Sequence, residues 1–225
     1  MRAYLPTLGL LTMLLCVNCQ KPAETTPTPD KAALEAERIA AILESPDRQS
    51  WQMPEKVIEE LKLKNGDVVA DIGAGTGYFA RRIAEKVAPK GQSIGFDINP
   101  AMVDYMQRDA ATREMKQNYR AELIQSRNPV LQKDYYDLIF FCNTYQHIEN
   151  RVAYFKTLSQ SLKRKGRIVI IDFSKLEKAD EESGEVPANL VDKNTVKREF
   201  KKAGFRLKRD LTFLPSQFFL EFTRG

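Results

Sequence analysis

The chain has 225 residues, 43% of them hydrophobic and 29% charged, a soluble globular balance with enough length to bury one sizeable core. Its 35 Lys and Arg against 30 Asp and Glu leave a formal net charge of +5, too mild for a dedicated nucleic-acid binder. Three cysteines and one histidine exclude a disulfide scaffold and a histidine-rich zinc site, and no other residue pattern calls for a metal.

Met1 and Arg2 precede an apolar run over residues 5–17. That is the length of a signal-peptide core and too short to span a bilayer, which takes roughly 20 residues. Cys16 and Cys19 close the run, and a polar Pro/Thr-rich tether with no capacity for a core begins at Gln20. An apolar run, a cysteine and a tether resemble a bacterial lipoprotein signal, although Asn18 stands where such signals carry a small residue. The resemblance implies attachment to a membrane through a lipidated Cys19 and a place in the cell envelope; unused, the signal leaves the protein in the cytoplasm. Cys19 is preferred to Cys16 because the tether starts directly after it, and Cys142 is then the one cysteine left inside the domain. The chain divides into a signal segment (1–19), a tether with a leading helix (20–44) and one domain (45–225), without internal repeats.

Residues 31–43 read as an amphipathic helix through Leu34, Ile39, Ile42 and Leu43. Residues 54–63 follow as a second helix, with Pro54 suited to its first turn, and Asn65-Gly66-Asp67 is a turn. Strands and helices then alternate: a buried strand at residues 68–72, a helix at 78–87, a strand at 92–97, and a helix opened by Asn99-Pro100 and running to about Lys116. Further strands are expected at 121–125, 136–142 and 167–172. A helix is expected at 150–162, with Lys163 and Lys165 at its C-terminal end and Gly166 as its stop. A helix around residues 196–203 and two strands near 205–212 and 217–222 finish the chain. Apolar strands separated by helices mean a parallel sheet covered on both faces, closed here by an antiparallel hairpin. The fold class is α/β, a doubly wound and mostly parallel sheet of about seven strands.

Residues 69–79, Val-Ala-Asp-Ile-Gly-Ala-Gly-Thr-Gly-Tyr-Phe, sit where the first strand turns into the next helix. Glycines there let the chain turn tightly and let a ligand approach the backbone, with free helix N–H groups behind them. A dinucleotide loop reads GxGxxG; here the pattern is GxGxG, with Tyr78 in the place of the last glycine. Asp71, two positions before Gly73, repels a pyrophosphate and attracts an ammonium. S-adenosylmethionine carries an ammonium and no phosphate, so the loop favours it over NAD. Asp97, at the end of the second strand, is placed to accept hydrogen bonds from ribose hydroxyls.

These residues, with Gly95-Phe96-Asp97-Ile98, Tyr136-Asp137-Leu138-Ile139 and Lys165-Gly166-Arg167, resemble the motifs of class I S-adenosylmethionine-dependent methyltransferases over residues 51–222. Trp51-Gln52-x-Pro54 and Asn143-Thr144-Tyr145-x-His147-Ile148 are similar to a subgroup of bacterial methyltransferase-like proteins, several with secretion signals. The resemblance implies a Rossmann-like sheet in the order 3-2-1-4-5-7-6 and S-adenosylmethionine as cofactor. It places Gly73, Gly75 and Gly77 along the methionine, Asp97 on the ribose, Ile98 on the adenine, and Asn143 under the sulfonium side. Where many members carry an acid for the adenine amino group this chain has Ser126-Arg127, which leaves adenine reading to Ser126 or backbone. Asp71 either touches the ligand or orients the loop amides.

His147 and Tyr145 follow the fourth strand, on the rim where open α/β sheets bind ligands. Each is a candidate catalytic group, His147 as general base or as a structural cap. Trp51, Tyr78 and Phe173 are candidates for an aromatic wall near the cofactor, or for core packing. The acidic stretch at 175–185 reads as a solvated loop, a lid region by the resemblance. The basic run from Lys193 to Arg209 reads as an exposed face without the interleaved aromatics of a nucleic-acid site; attraction to a membrane surface suits it better. The leading function is methyl transfer to a small molecule. Because an exported domain is separated from a cytoplasmic cofactor, a non-catalytic binding protein on the same fold is the second reading, and an NAD(P)-linked oxidoreductase the third. The oligomeric state is not legible in the sequence.

Overall fold

The computed structural model describes residues 31–125, 129–173 and 190–225. Cys16, Cys19 and the tether lie outside the described residues, as do Ser126 and the acidic stretch at 175–185. Three helices come first, α1 (Lys31–Leu43), α2 (Arg48–Trp51) and α3 (Pro54–Glu60). Then follow β1 (Val68–Ile72), α4 (Tyr78–Val87), β2 (Gln92–Asp97), α5 (Pro100–Thr112), β3 (Tyr119–Leu123) and β4 (Tyr136–Cys142). A 3-10 turn (Tyr145–His147) leads to α6 (Arg151–Leu158), β5 (Leu162–Phe173), α7 (Lys193–Lys202), β6 (Phe205–Leu211) and β7 (Gln217–Arg224).

The seven strands form one sheet in the order β3-β2-β1-β4-β5-β7-β6. The first five pair in parallel, and β7 runs antiparallel to both β5 and β6. The expected strand order and closing hairpin are therefore present. Alternation along each strand sends successive side chains to opposite faces. Ile72, Ile139, Phe141, Ile168 and Ile170 meet Phe155 and Leu158 of α6 and Val196 and Phe200 of α7. Val69, Leu138, Phe140, Val169 and Ile171 meet Val57 and Ile58 of α3 and Phe79 and Ile83 of α4.

The strand expected at 121–125 lies at Tyr119–Leu123, and a second segment departs further from the sequence reading. The helix expected at 150–162 runs as α6 to Leu158 and as a 3-10 turn over Ser159–Ser161, and Lys163, Lys165 and Gly166 belong to β5 rather than to a helix end. Gly166 sits beside an irregularity in the β4–β5 register between Tyr136 and Leu138. A Cβ on Gly166 would lie 2.7 Å from the Tyr136 carbonyl oxygen, so the glycine serves a close strand approach, not a helix stop. Lys163 is held there by an ion pair of 2.6 Å with Asp137.

The leading helix also changes standing. The sequence reading set it outside the domain, but α1 packs on α5, and Glu44 just after it makes a bidentate pair with Arg81 of α4. Helix α1 is thus part of the folded body that surrounds the site.

Candidate functional site

A cavity of about 300 Å³ opens at the C-terminal ends of β1, β2 and β4, the crevice where a doubly wound sheet changes direction. The loop after β1 forms its floor. Gly73 has φ of +71°, and a Cβ there would lie 2.4 Å from the Thr144 hydroxyl oxygen, so the turn after β4 seats directly against it. The Gly75 N–H donates to Asp97 Oδ2 at 2.8 Å, and the Asn99 N–H donates to Asp97 Oδ1 at 2.9 Å. Asp97 is 8% exposed and lines the cavity. A carboxylate oxygen accepts about two hydrogen bonds, so each oxygen of Asp97 retains a free acceptor position. Next to it Ile98 is 61% exposed on the same cavity, an apolar surface that a flat ring can cover. Asn143 and His147 line the opposite side, His147 at the end of the 3-10 turn with an exposed ring.

Other expected site residues fall elsewhere. Gly77 does not line the cavity: it caps the N-terminus of α4 at φ +78°, and a Cβ on it would lie 1.8 Å from the Tyr119 hydroxyl. Its requirement for glycine comes from packing on β3. Asp71 is 3% exposed and also absent from the cavity wall. It lies beneath the loop, close to the start of α4, where it suits the second of its two expected roles, orienting the loop amides. Burial, reinforced by the nearby Asp97 charge, pushes its pKa up to about 7, against the opposing pull of Arg48.

Tyr145 is fully buried and turned away from the cavity. Its hydroxyl donates to Glu199, which also accepts Arg151 Nε at 2.7 Å, and its ring stacks with Phe155 and Phe200 at 5.6 and 6.3 Å. Burial and Glu199 both raise the phenol's pKa, so this hydroxyl stays protonated and is not available to take a proton. The expected catalytic candidate is a tie between the turn and α7. The three aromatics do not form one wall either. Trp51 and Phe173 stack at 5.5 Å, whereas Tyr78 lies between the guanidinium groups of Arg48 and Arg82, at 3.7 and 3.8 Å from its ring centre.

Ile39 and Leu43 of α1 line the cavity, together with Met102, Ile124 and Tyr154. None was expected at the site. The spacing of Ile39 and Leu43 shows an apolar helix face, but not what that face covers. Behind Asn143, Gln52 and Gln217 form a buried polar link that sequence reading also missed.

The residues present fit S-adenosylmethionine. A half-used carboxylate stands beside an exposed apolar side chain, a glycine cradle lies against the turn after β4, and among the described residues no lysine or arginine lines the cavity to receive a phosphate. A family model described as a methyltransferase domain matches residues 63–204. A ubiquinone/menaquinone biosynthesis C-methyltransferase from Coxiella burnetii is 25% identical over 118 residues, 52% of this chain and 47% of that protein. A demethylmenaquinone methyltransferase from Lactobacillus johnsonii is 27% identical over 131 residues, 56% and 51% of the two chains. The chain thus spans about half the length of these curated relatives. Among solved structures, a SAM-dependent methyltransferase from Aquifex aeolicus superposes with a TM-score of 0.74 at 24% identity, covering 84% of this chain and 97% of that one.

Proposed function

Because the chain belongs to the methyltransferase-domain family, whose fold implies S-adenosylmethionine as cofactor, we propose that it methylates a small-molecule acceptor with that donor. The single observation that carries the binding mode is Asp97: buried, on the cavity wall, with one acceptor position left on each oxygen. These positions hold the two ribose hydroxyls. Ile98 packs on the adenine, with Ser126 assigned to its edge by the family resemblance. Gly73 and Gly75 line the methionine, and Ile39 and Leu43 of α1 exclude water from above. When bound, S-adenosylmethionine supplies an electrophilic methyl group on a sulfonium for direct displacement. The chain's own work is alignment and proton removal. His147, exposed at the cavity wall opposite Asp97, takes the proton from a weakly nucleophilic acceptor.

Calorimetry of the full chain with S-adenosylmethionine and S-adenosylhomocysteine tests the reading. Micromolar to sub-millimolar binding of both is expected; binding of neither at millimolar concentration leaves a non-catalytic protein on the same fold.

We also place the protein at the cell envelope through Cys19, supported by the apolar run at 5–17 and the tether after it. Cys19→Ala should release it from the membrane fraction or leave an unprocessed precursor. Loss of anchoring in Cys16→Ala instead would move the assignment.

A further inference from the structure

Four side chains link α2 to the cavity. Arg48 Nε donates to Gln52 Oε1 at 2.6 Å. Gln52 Nε2 donates to Gln217 Oε1 at 3.2 Å and to the Cys142 sulfur at 3.1 Å. Gln217 Nε2 donates to Asn143 Oδ1 at 2.5 Å. Gln52, Gln217 and Arg48 are buried, and Asn143 lines the cavity.

The direction of this chain follows from its first member. A guanidinium has donors and no acceptor, so the end of Gln52 that meets Arg48 is its carbonyl oxygen. The amide nitrogen of Gln52 therefore faces Gln217, whose oxygen must accept it, and the nitrogen of Gln217 faces Asn143. Asn143 is left with its oxygen engaged and its Nδ2 as the polar end not held by the relay. Its backbone, at φ +56° in the left-handed region, holds the residue out of the strand direction at the mouth of the cavity. Reversing any carboxamide sets donor against donor in a buried place, at a cost that keeps the polarity in one sense.

We propose that Arg48, Gln52 and Gln217 are positioning residues that fix Asn143 as a hydrogen-bond donor toward the cavity, where it meets a ligand oxygen. This rests on the methyltransferase reading and deepens it. Two oxygens suit such a donor: the methionine carboxylate of the cofactor, or an enolate or phenolate oxygen of the methyl acceptor. An amine acceptor, which needs an acceptor group to orient its own N–H, does not suit it.

Gln217→Glu tests the polarity without changing size. An ionised carboxylate there cannot donate, so Asn143 turns its nitrogen toward residue 217 and its oxygen toward the cavity. A protonated carboxyl donates as the parent amide does. The charged and titratable groups around this position are Arg48, the Cys142 thiol, which burial keeps protonated, Asp71, which lies near both of these, and Asp172 on the neighbouring strand β5. Binding to the full-length variant is compared with the parent at the same pH, using three probes: S-adenosylhomocysteine, 5′-methylthioadenosine, which lacks the carboxylate, and 4-nitrophenolate titrated into the S-adenosylhomocysteine complex.

If the carboxylate is the partner, S-adenosylhomocysteine weakens about tenfold or more at high pH, methylthioadenosine does not, and the loss recovers as pH falls. If the acceptor oxygen is the partner, both nucleosides hold and nitrophenolate affinity falls with the same reversible pH dependence. Asn143→Asp, which keeps the bond from Gln217 and removes only the donor, should give the same loss at high pH and serves if the first variant misfolds. Unchanged affinity for all three probes in a folded variant, including a complex to which nitrophenolate never binds, overturns the proposal. A parent that binds neither nucleoside instead fails the cofactor reading on which the proposal rests.

Discussion

Asp97→Ala is the sharpest test of how the cavity is used. The side chain holds the Gly75 and Asn99 amides at 2.8 and 2.9 Å and offers its remaining acceptor positions to the ribose. Hydrogen bonds to a charged acceptor contribute about 1.5–3 kcal/mol each. Because both ribose bonds share one carboxylate, a combined loss of about 1.5–3 kcal/mol is a sound expectation, and at about 1.4 kcal/mol per tenfold this weakens binding roughly 10- to 100-fold. Release of the Gly75 amide acts in the same direction by loosening the cradle. The two amides stand at the cavity rim, where water can replace the carboxylate, so the fold should persist. Calorimetry with S-adenosylhomocysteine, alongside urea unfolding, reads both effects. Asp97→Asn should fall between, since it retains one acceptor oxygen but turns an N–H toward Gly75 or Asn99. An Asp97→Ala protein that is folded and binds as tightly as the parent would show that the ribose lies elsewhere.

The remaining expectations address the neighbours of the site. Asp71, usually near 3.8, has its folded pKa raised to about 7, so between these values the folded protein binds more protons than the unfolded chain. Stability should decline as pH rises from about 4 through 7, and Asp71→Asn should flatten that decline in urea titrations; an unchanged profile would place the proton elsewhere. Tyr145→Phe leaves Glu199 without one donor in a part-buried site and should cost about 1–3 kcal/mol of stability, with S-adenosylhomocysteine affinity unaltered; a selective loss of turnover would return Tyr145 to the mechanism. His147→Ala should bind S-adenosylhomocysteine as the parent does while losing turnover by about 10²-fold or more on a weak nucleophile, and equal rates across pH would remove it from proton transfer.

How much of this was legible from residue order differs by residue, for physical reasons. Spacing within a few residues located β1, the glycine loop and the acid at the end of β2, because tight turns and strand ends restrict which side chains fit. The same local signals led to Gly73, Gly75, Asp97 and His147, and the family resemblance added Ile98 and Asn143; all six line one cavity. Local signals could not separate Gly73 from Gly77. Both have positive φ, but one meets the turn after β4 at the cavity and the other meets Tyr119 on β3. Nor could they separate His147 from Tyr145, two positions apart, since a single 3-10 turn exposes one and drives the other onto Phe155 and Phe200. The covering of the cavity by α1 and the relay through Gln52 and Gln217 join residues far apart in the chain. Such contacts arise only when the sheet brings the ends of β4 and β7 and the first helices together, and a carboxamide carries no mark in sequence of which partner it will meet.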